Sequence, residues 1–148
     1  MIWFIGAVIL AAIDIGMKIH IRDNRRINEE TRILGGKVTI TRVQNKGAFL
    51  GLMKNNTKKV LGLSLIITGI IAGMLLAATG KKGNLFLRIG LTLMLGGAMS
   101  NVYERIRHGE VTDFFRLSGA KGPIKKIAFN VGDWFIFLGA LITLFARK

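Results

Sequence analysis

Residues Ile2 to Ile21 read IWFIGAVILAAIDIGMKIHI, an apolar run broken only by Asp14, Lys18 and the terminal His20. A helix needs about 20 such residues to cross the hydrocarbon core of a bilayer. The run starts at Met1 with no basic segment ahead of it and no small-residue cleavage site before the charged stretch. A retained helix is therefore expected rather than a cleaved leader.

Three further apolar runs follow, at 60–79, 85–99 and 127–145. The third of the four is the shortest and needs Arg88 to snorkel, or the helix to tilt, if it is to cross. The chain is 51% hydrophobic with a mean hydropathy of +0.45, above the needs of a soluble domain of 148 residues. The expected fold is all-α and membrane-embedded. It consists of four transmembrane helices (about 2–21, 60–79, 85–99 and 127–145) in a single integral membrane domain spanning 1–148. Extramembrane segments are expected at about 22–59 and 101–126. Within the first of these, Lys37 to Val43 is a β-branched run of rough period two following Gly35 and Gly36, which predicts a strand in a small β platform between helices one and two.

The net charge of +14 comes from basic residues distributed between the apolar runs, not gathered on one soluble face. This argues against nucleic acid as a partner and fits anionic membrane lipids. The segments 22–59 and 101–126 hold 10 and 6 basic residues, and by charge alone both belong in the cytoplasm. The absence of cysteine excludes disulfides and thiolate nucleophiles. Only His20 and His108 offer imidazole, on separate segments with no evident partner, so no metal and no cofactor are expected.

An ionisable group at membrane depth costs about 2.5–3.5 kcal/mol and therefore needs a partner or a purpose. Asp14 and Lys18 lie four apart, on one helix face, as a self-neutralising pair would. Asp133 follows Asn130 at the head of the last run, where a helix cap and the helix dipole would also account for it. Asp113 lies between the third and fourth runs, so the two carboxylates approach one interface from different segments. Carboxylates held together away from water share a proton, supplying one base and one acid, which is the chemistry of aspartic peptidases. The small residues Gly96-Gly97-Ala98 would let another helix or a peptide approach closely. Asn101, Glu104 and Arg105 fall where that helix leaves the membrane, Asn101 and Arg105 on a shared face; they would brace the segment carrying Asp113 or simply form a salt-bridged helix end. A polar path for a small transporter, through Asp14, Lys18 and Asp133, is the reading from a different class.

The order of these pieces resembles the lipoprotein signal peptidases of bacteria (signal peptidase II). The family's Asp-x-x-x-Lys is matched by Asp14 and Lys18, and its Asn-x-Gly-Ala by Asn45-Lys46-Gly47-Ala48-Phe49. Its Gly-Gly-Ala-x-Gly-Asn-x-x-Asp-Arg is matched by the run from Gly96 to Arg105, with Ser100 for a glycine and Glu104 for an aspartate. The segment Gly109-x-Val111-x-Asp113-Phe114 follows, and Phe-Asn-x-Ala-Asp is matched by Phe129-Asn130-Val131-Gly132-Asp133, with Gly132 for alanine.

The resemblance implies a membrane aspartic endopeptidase that removes the signal peptide from prolipoproteins, cleaving before a diacylglyceryl-modified cysteine. Asp113 and Asp133 would be its catalytic residues. Asp14, Lys18, Asn45, Gly47, Asn101, Glu104, Arg105 and Asn130 would bind or orient the substrate. Within that set Asp14 and Asn45 would contact the lipidated peptide, and Arg105 would anchor Glu104 or a lipid head group. The segment Gly47-Ala48-Phe49, with Gly51, would form part of a lid. Its partners would be the lipidated substrate and membrane lipids, with the enzyme a monomer in the bacterial cytoplasmic membrane. The same resemblance puts both termini in the cytoplasm and the active site near the outer face, against the charge count. A relative that binds lipidated peptides or lipids without cleaving them is the alternative that Ser100 and Glu104 leave open.

Overall fold

In a computed structural model that describes residues 1–47, 56–80, 84–122, 124 and 127–146, four helices carry the chain. They are α1 (Ile2–Asn24), α2 (Thr57–Thr79), α3 (Leu85–His108) and α4 (Val131–Phe145). The first three have 23, 23 and 24 residues and are long and apolar enough to cross a membrane. At a rise of 1.5 Å per residue each is about 35 Å long. The fourth is apolar but has only 15 residues. Ile5 and Ile9 of α1, Ile66 and Ile70 of α2, and Phe137 and Leu144 of α4 all point outward and are exposed. An apolar outer belt of this extent marks a lipid-facing surface.

Inside the bundle, Ala7, Ile71, Leu75, Leu91, Leu95 and Ala98 pack into one core. α3 is the central helix, and α1, α2 and α4 all pack on it. Glycines set how close they come. A Cβ on Gly97 would run into the carbonyl oxygen of Gly132 and into Ile136, and one on Gly90 would meet Gly139 and Thr143 of α4. On the other side, a Cβ on Gly96 would lie 2.7 Å from Leu10 and 3.0 Å from the Ala7 carbonyl of α1. Backbones this close leave no room for side chains between them, and the α3–α4 crossing fixes the height of Asp133 against Asn101.

Four strands, β1 (Thr31–Ile33), β2 (Val38–Asn45), β3 (Val111–Arg116) and β4 (Ala128–Phe129), form one antiparallel sheet in that order. β2 covers the strand expected at 37–43. The sheet is larger than a platform confined to the first extramembrane segment, because β3 and β4 come from the chain after α3. Between the pairs Ile40–Phe115 and Val43–Asp113, β2 has one more residue than β3. Such a bulge bends a strand and re-aims the side chains beyond it, here toward Asn45.

α1 and α2 each run three residues beyond the apolar runs, to Asn24 and from Thr57, and two boundaries depart further. α3 continues past residue 99 to His108, where Gly109 ends it at φ 75°, with its N–H on the Arg105 carbonyl at 3.0 Å. That left-handed cap turns the chain back into β3. The run at 127–145 is split by Asn130, with Ala128 and Phe129 in β4 and the helix starting at Val131. Residues 81–83, between α2 and α3, lie outside the described residues, as do Ala48, Phe49 and Gly51 of the expected lid.

The glycine contact gives a direct test. Gly97→Ala drives a methyl into the Gly132 carbonyl, so thermal unfolding in detergent is expected to show a loss of about 1–3 kcal/mol. An unchanged midpoint would contradict the close crossing.

Candidate active site

Asn130 is the residue on which the site is built. It is the N-cap of α4, and its Oδ1 accepts the Asp133 N–H at 2.8 Å while Asp133 Oδ2 accepts the Asn130 N–H at 3.1 Å. This reciprocal capping box occupies the oxygen end of the Asn130 amide. Its NH2 must then point elsewhere, and it donates to Asp113 Oδ1 at 2.7 Å. One residue thus touches both carboxylates, Asp113 through its side chain and Asp133 through its backbone.

The same device occurs twice more. Asn45 accepts the Gly47 N–H on Oδ1 at 3.0 Å and donates from Nδ2 to Asp113 Oδ2 at 3.0 Å. Asn101 accepts from Lys18 Nζ at 2.7 Å and donates to Asp133 Oδ1 at 2.9 Å. An ammonium or backbone N–H can only donate, so each amide has one workable orientation. All four carboxylate oxygens accept an N–H, and Asp113 and Asn130 are buried.

Lys18 is fully buried and its ammonium has three acceptors. Besides Asn101, these are Asp14 Oδ2 at 2.6 Å and Ser100 Oγ at 3.0 Å, and the Ser100 hydroxyl itself donates to Asp14 Oδ2 at 2.6 Å. A buried ion pair is tolerable only when its charges are satisfied in this way. Asp14 Oδ1 has no hydrogen-bond partner among the described residues. Asp14 is itself 0% exposed, so it faces Lys18 and Ser100 and presents no surface to a peptide in this conformation. A Cβ at Gly132 would come within 2.6 Å of the same Asp14 Oδ2. The two small-residue departures from the family pattern, Ser100 and Gly132, therefore flank one oxygen, a hydroxyl gained on one side and a methyl absent on the other.

Arg105 donates to the Asn101 carbonyl at 3.3 Å and to the Gly47 carbonyl at 3.1 Å, tying α3 to the residues just after β2. It does not hold Glu104, the first of the two anchors expected for it. Glu104, one turn from Asn101 on the flank of α3 that meets α1, is fully buried and pairs with Arg22 at 2.8 Å. The histidines also differ from expectation, since both belong to helix ends and have partners: His20 meets Asn24, and His108 meets Arg22. Among the described residues no group of three or more metal-capable side chains occurs.

Asp113 lies on β3, outside the spanning helices. Burial, and after it the neighbouring Asp133 carboxylate, push its carboxyl up from 3.8 to about 7, against the lowering effect of the Asn45 and Asn130 amides and the Lys18 charge. Close carboxylates titrate as a pair, so the ease with which Asp113 loses its proton depends on the charge of Asp133 beside it.

The sequence profile of the family described as "Signal peptidase (SPase) II" matches residues 6–147. The chain belongs to that signal peptidase II family. It is 35% identical over 136 residues to the lipoprotein signal peptidase of Moorella thermoacetica, covering 92% of this chain and 85% of the relative. It is 32% identical over 143 residues to that of Syntrophus aciditrophicus, covering 95% and 88%. A solved structure described as a bacterial membrane enzyme determined by the in meso method superposes with a TM-score of 0.80 at 26% identity, covering 97% of this chain and 85% of the other. A second such structure gives 0.78 at 26% identity, with 97% and 90% covered.

This signal peptidase II is accordingly an aspartic peptidase and a multi-pass bacterial membrane protein. Sequence reading missed Arg22 and Thr112 of its polar network. Arg22 was visible in principle, since it continues the helical spacing of Asp14 and Lys18 by one more step of four. Thr112 carried no signal, because its role depends on where β3 meets α3.

The raised Asp113 value has a signed consequence for stability. Between about pH 4 and about pH 7 the unfolded chain has released a proton that the folded enzyme retains, so this group makes stability fall as pH rises through that window. Asp113→Asn is therefore expected to raise the thermal midpoint over wild type at about pH 8, with the gain gone below about pH 4. Identical midpoints at both values would contradict a buried, proton-retaining Asp113.

Proposed function

We propose that this signal peptidase II uses Asp113 and Asp133 as its catalytic pair to remove the signal peptide from prolipoproteins, cleaving before a diacylglyceryl-modified cysteine. The observation that carries the assignment is the position of Asn130, bonded at once to Asp113 Oδ1 and Asp133 Oδ2. Two carboxylates so linked, with every oxygen already accepting one N–H, form a site built to hold one proton between them.

The chemistry needs only that proton and a water. Asp133, an acceptor on both oxygens, takes a proton as the water oxygen attacks the scissile carbonyl carbon. Asp113, in its protonated form, delivers its proton to the carbonyl oxygen. Collapse of the tetrahedral intermediate breaks the C–N bond, the leaving amine takes the proton held by Asp133, and the proton on the intermediate's oxygen returns to Asp113. The pair ends as it began. Asn45, Asn101 and Asn130 keep the carboxylates aimed throughout, and fixed dipoles of this kind need no reorganisation during reaction. Lys18 and Asp14 orient Asn101 from below, while Gly47 and Arg105 border the site from the side of β2.

The bilayer arrangement follows the same reading. All four helices cross the membrane as one integral domain spanning residues 1–148, with α4 reaching across by way of its flanking residues. Both termini face the cytoplasm and the sheet lies at the outer face, where a lipidated cysteine would reside. The basic residues of the sheet then face the outer leaflet and its anionic lipids, despite the usual inward bias of such charges. A monomer suffices, because every proposed catalytic and orienting residue comes from one chain.

Purified enzyme in detergent or bilayers, given a diacylglyceryl-modified prolipoprotein peptide, is expected to cleave before the modified cysteine. Asp113→Asn and Asp133→Asn are each expected to lose at least about 100-fold in turnover while remaining folded and inserted. Full turnover in either variant would remove the pair. No cleavage by folded wild type would turn the assignment toward a binder of lipidated peptides.

A further inference from the structure

Behind β3, on the side away from the carboxylate pair, the last turn of α1 meets the last turns of α3. There Arg22 Nη2 donates to both oxygens of Glu104, at 2.8 and 2.9 Å, and to the Thr112 hydroxyl at 2.7 Å. Glu104 Oε2 also accepts the Thr112 N–H at 2.9 Å. His108 completes the cluster, with Nε2 against Arg22 and 3.9 Å from Glu104 Oε1. The backbone of the same turn is held from β2, since Arg42 Nη1 donates to the Arg22 carbonyl at 2.7 Å and to the Arg25 carbonyl at 2.9 Å.

We infer that Arg22 is a positioning residue for peptide cleavage, holding the start of β3, and so Asp113, in register with α4 by way of Glu104 and Thr112. This rests on the reading of Asp113 as half of the catalytic pair. Thr112 directly precedes Asp113, and both of its polar anchors depend on Arg22, its hydroxyl directly and its N–H through the carboxylate that Arg22 neutralises. The Glu104 side chain is 1% exposed and that of Arg22 19%, so the guanidinium is the principal compensation for a carboxylate without access to water. Without it the buried carboxylate loses its main partner and is drawn toward His108, so its hold on the Thr112 N–H weakens. Asp113 remains tied on its other side to Asn45 and Asn130, which fixes it to β2 and α4 but leaves the strand free to shift against α3. Displacement of a reacting group by about 1 Å can cost about 100-fold in rate. Lysine cannot replace the arrangement fully, because its compact ammonium lacks the planar fork that reaches Glu104, Thr112 and His108 together.

The test measures kcat and KM separately for the diacylglyceryl-modified prolipoprotein peptide, with thermal midpoints alongside. The enzymes are wild type, Asp113→Asn, Arg22→Gln, Arg22→Lys, Glu104→Gln and the double variant Arg22→Gln/Glu104→Gln. Arg22→Gln is expected to lose roughly 10- to 100-fold in kcat with KM nearly unchanged, and Arg22→Lys to recover part of that loss. The double variant is expected to be no slower than Arg22→Gln, because both changes break one contact. Wild-type kcat in Arg22→Gln, a loss confined to KM, or additive losses in the double variant would overturn the inference. If Arg22→Gln does not fold, Arg22→Lys decides: a lower kcat supports the positioning role, and a wild-type kcat overturns it. Full activity in Asp113→Asn would sink the catalytic pair itself, whereas an inactive Asp113→Asn beside normal Arg22 variants would sink only the role of Arg22.

Discussion

A pair of carboxylates brought to the end of an apolar bundle must be surrounded by donors that have no alternative acceptor, because an unsatisfied charge there costs more than most folds can offset. In this enzyme the donors are three side-chain amides, each pinned at its oxygen by a group that can only donate: the Gly47 N–H on Asn45, the Asp133 N–H on Asn130 and the Lys18 ammonium on Asn101. The NH2 ends are then committed to Asp113 and Asp133 before any substrate arrives. The rest of the structure serves this constraint. The capping box sets the first turn of α4, the buried Asp14–Lys18 pair supplies the ammonium, and β2 brings Asn45 across to Asp113.

Helix packing gives the arrangement its precision. Asn101 and Asp133 belong to helices that approach so closely that a methyl on Gly97 would collide with the Gly132 carbonyl. Such a contact leaves little freedom for one helix to slide along the other, so the donor on α3 and the acceptor on α4 keep their separation. The polar end of α3 performs a different task. Past residue 99 it carries Asn101 and Arg105, which meet Asp133 and the Gly47 carbonyl, and Glu104, which meets Arg22 of α1 and the start of β3. One helix thus braces both α4 and β3, and the proposed catalytic pair lies between the two braces.

Much of this was legible in the sequence, for reasons tied to particular residues. The apolar run from Ile2 to Ile21 gives the fold class because no soluble packing calls for it. The spacing of Asp14 and Lys18 places both on one helix face, and the β-branched run before Asn45 marks β2. Other features were not legible. Hydropathy ends α3 near Met99 because the residues beyond are polar, yet they remain helical until Gly109 turns the chain. Ile127 to Phe129 are apolar and merge with the last run, although the Asn130–Asp133 cap signal divides strand from helix there. β3 and β4 have only 6 and 2 residues, too short for a periodic pattern, and exist because β2 offers an edge to β3 and β3 in turn offers one to β4. The partner of Glu104 depends on where two helix ends meet, which no local pattern encodes.

The central claim is that Asp113 and Asp133 share one proton in a site that burial has made reluctant to hold two charges. It is tested most directly by following the Asp113 carboxyl with isotope-edited infrared spectroscopy in wild type and in Asp133→Asn as pH is varied. The account predicts that Asp113 takes up its proton near pH 7 in wild type. In Asp133→Asn the transition should move down, yet stay above the ordinary carboxylate range, because burial is the larger cause and the Asp133 charge the smaller. A transition near the ordinary carboxylate value in both proteins would show two independent acids, and would contradict the account.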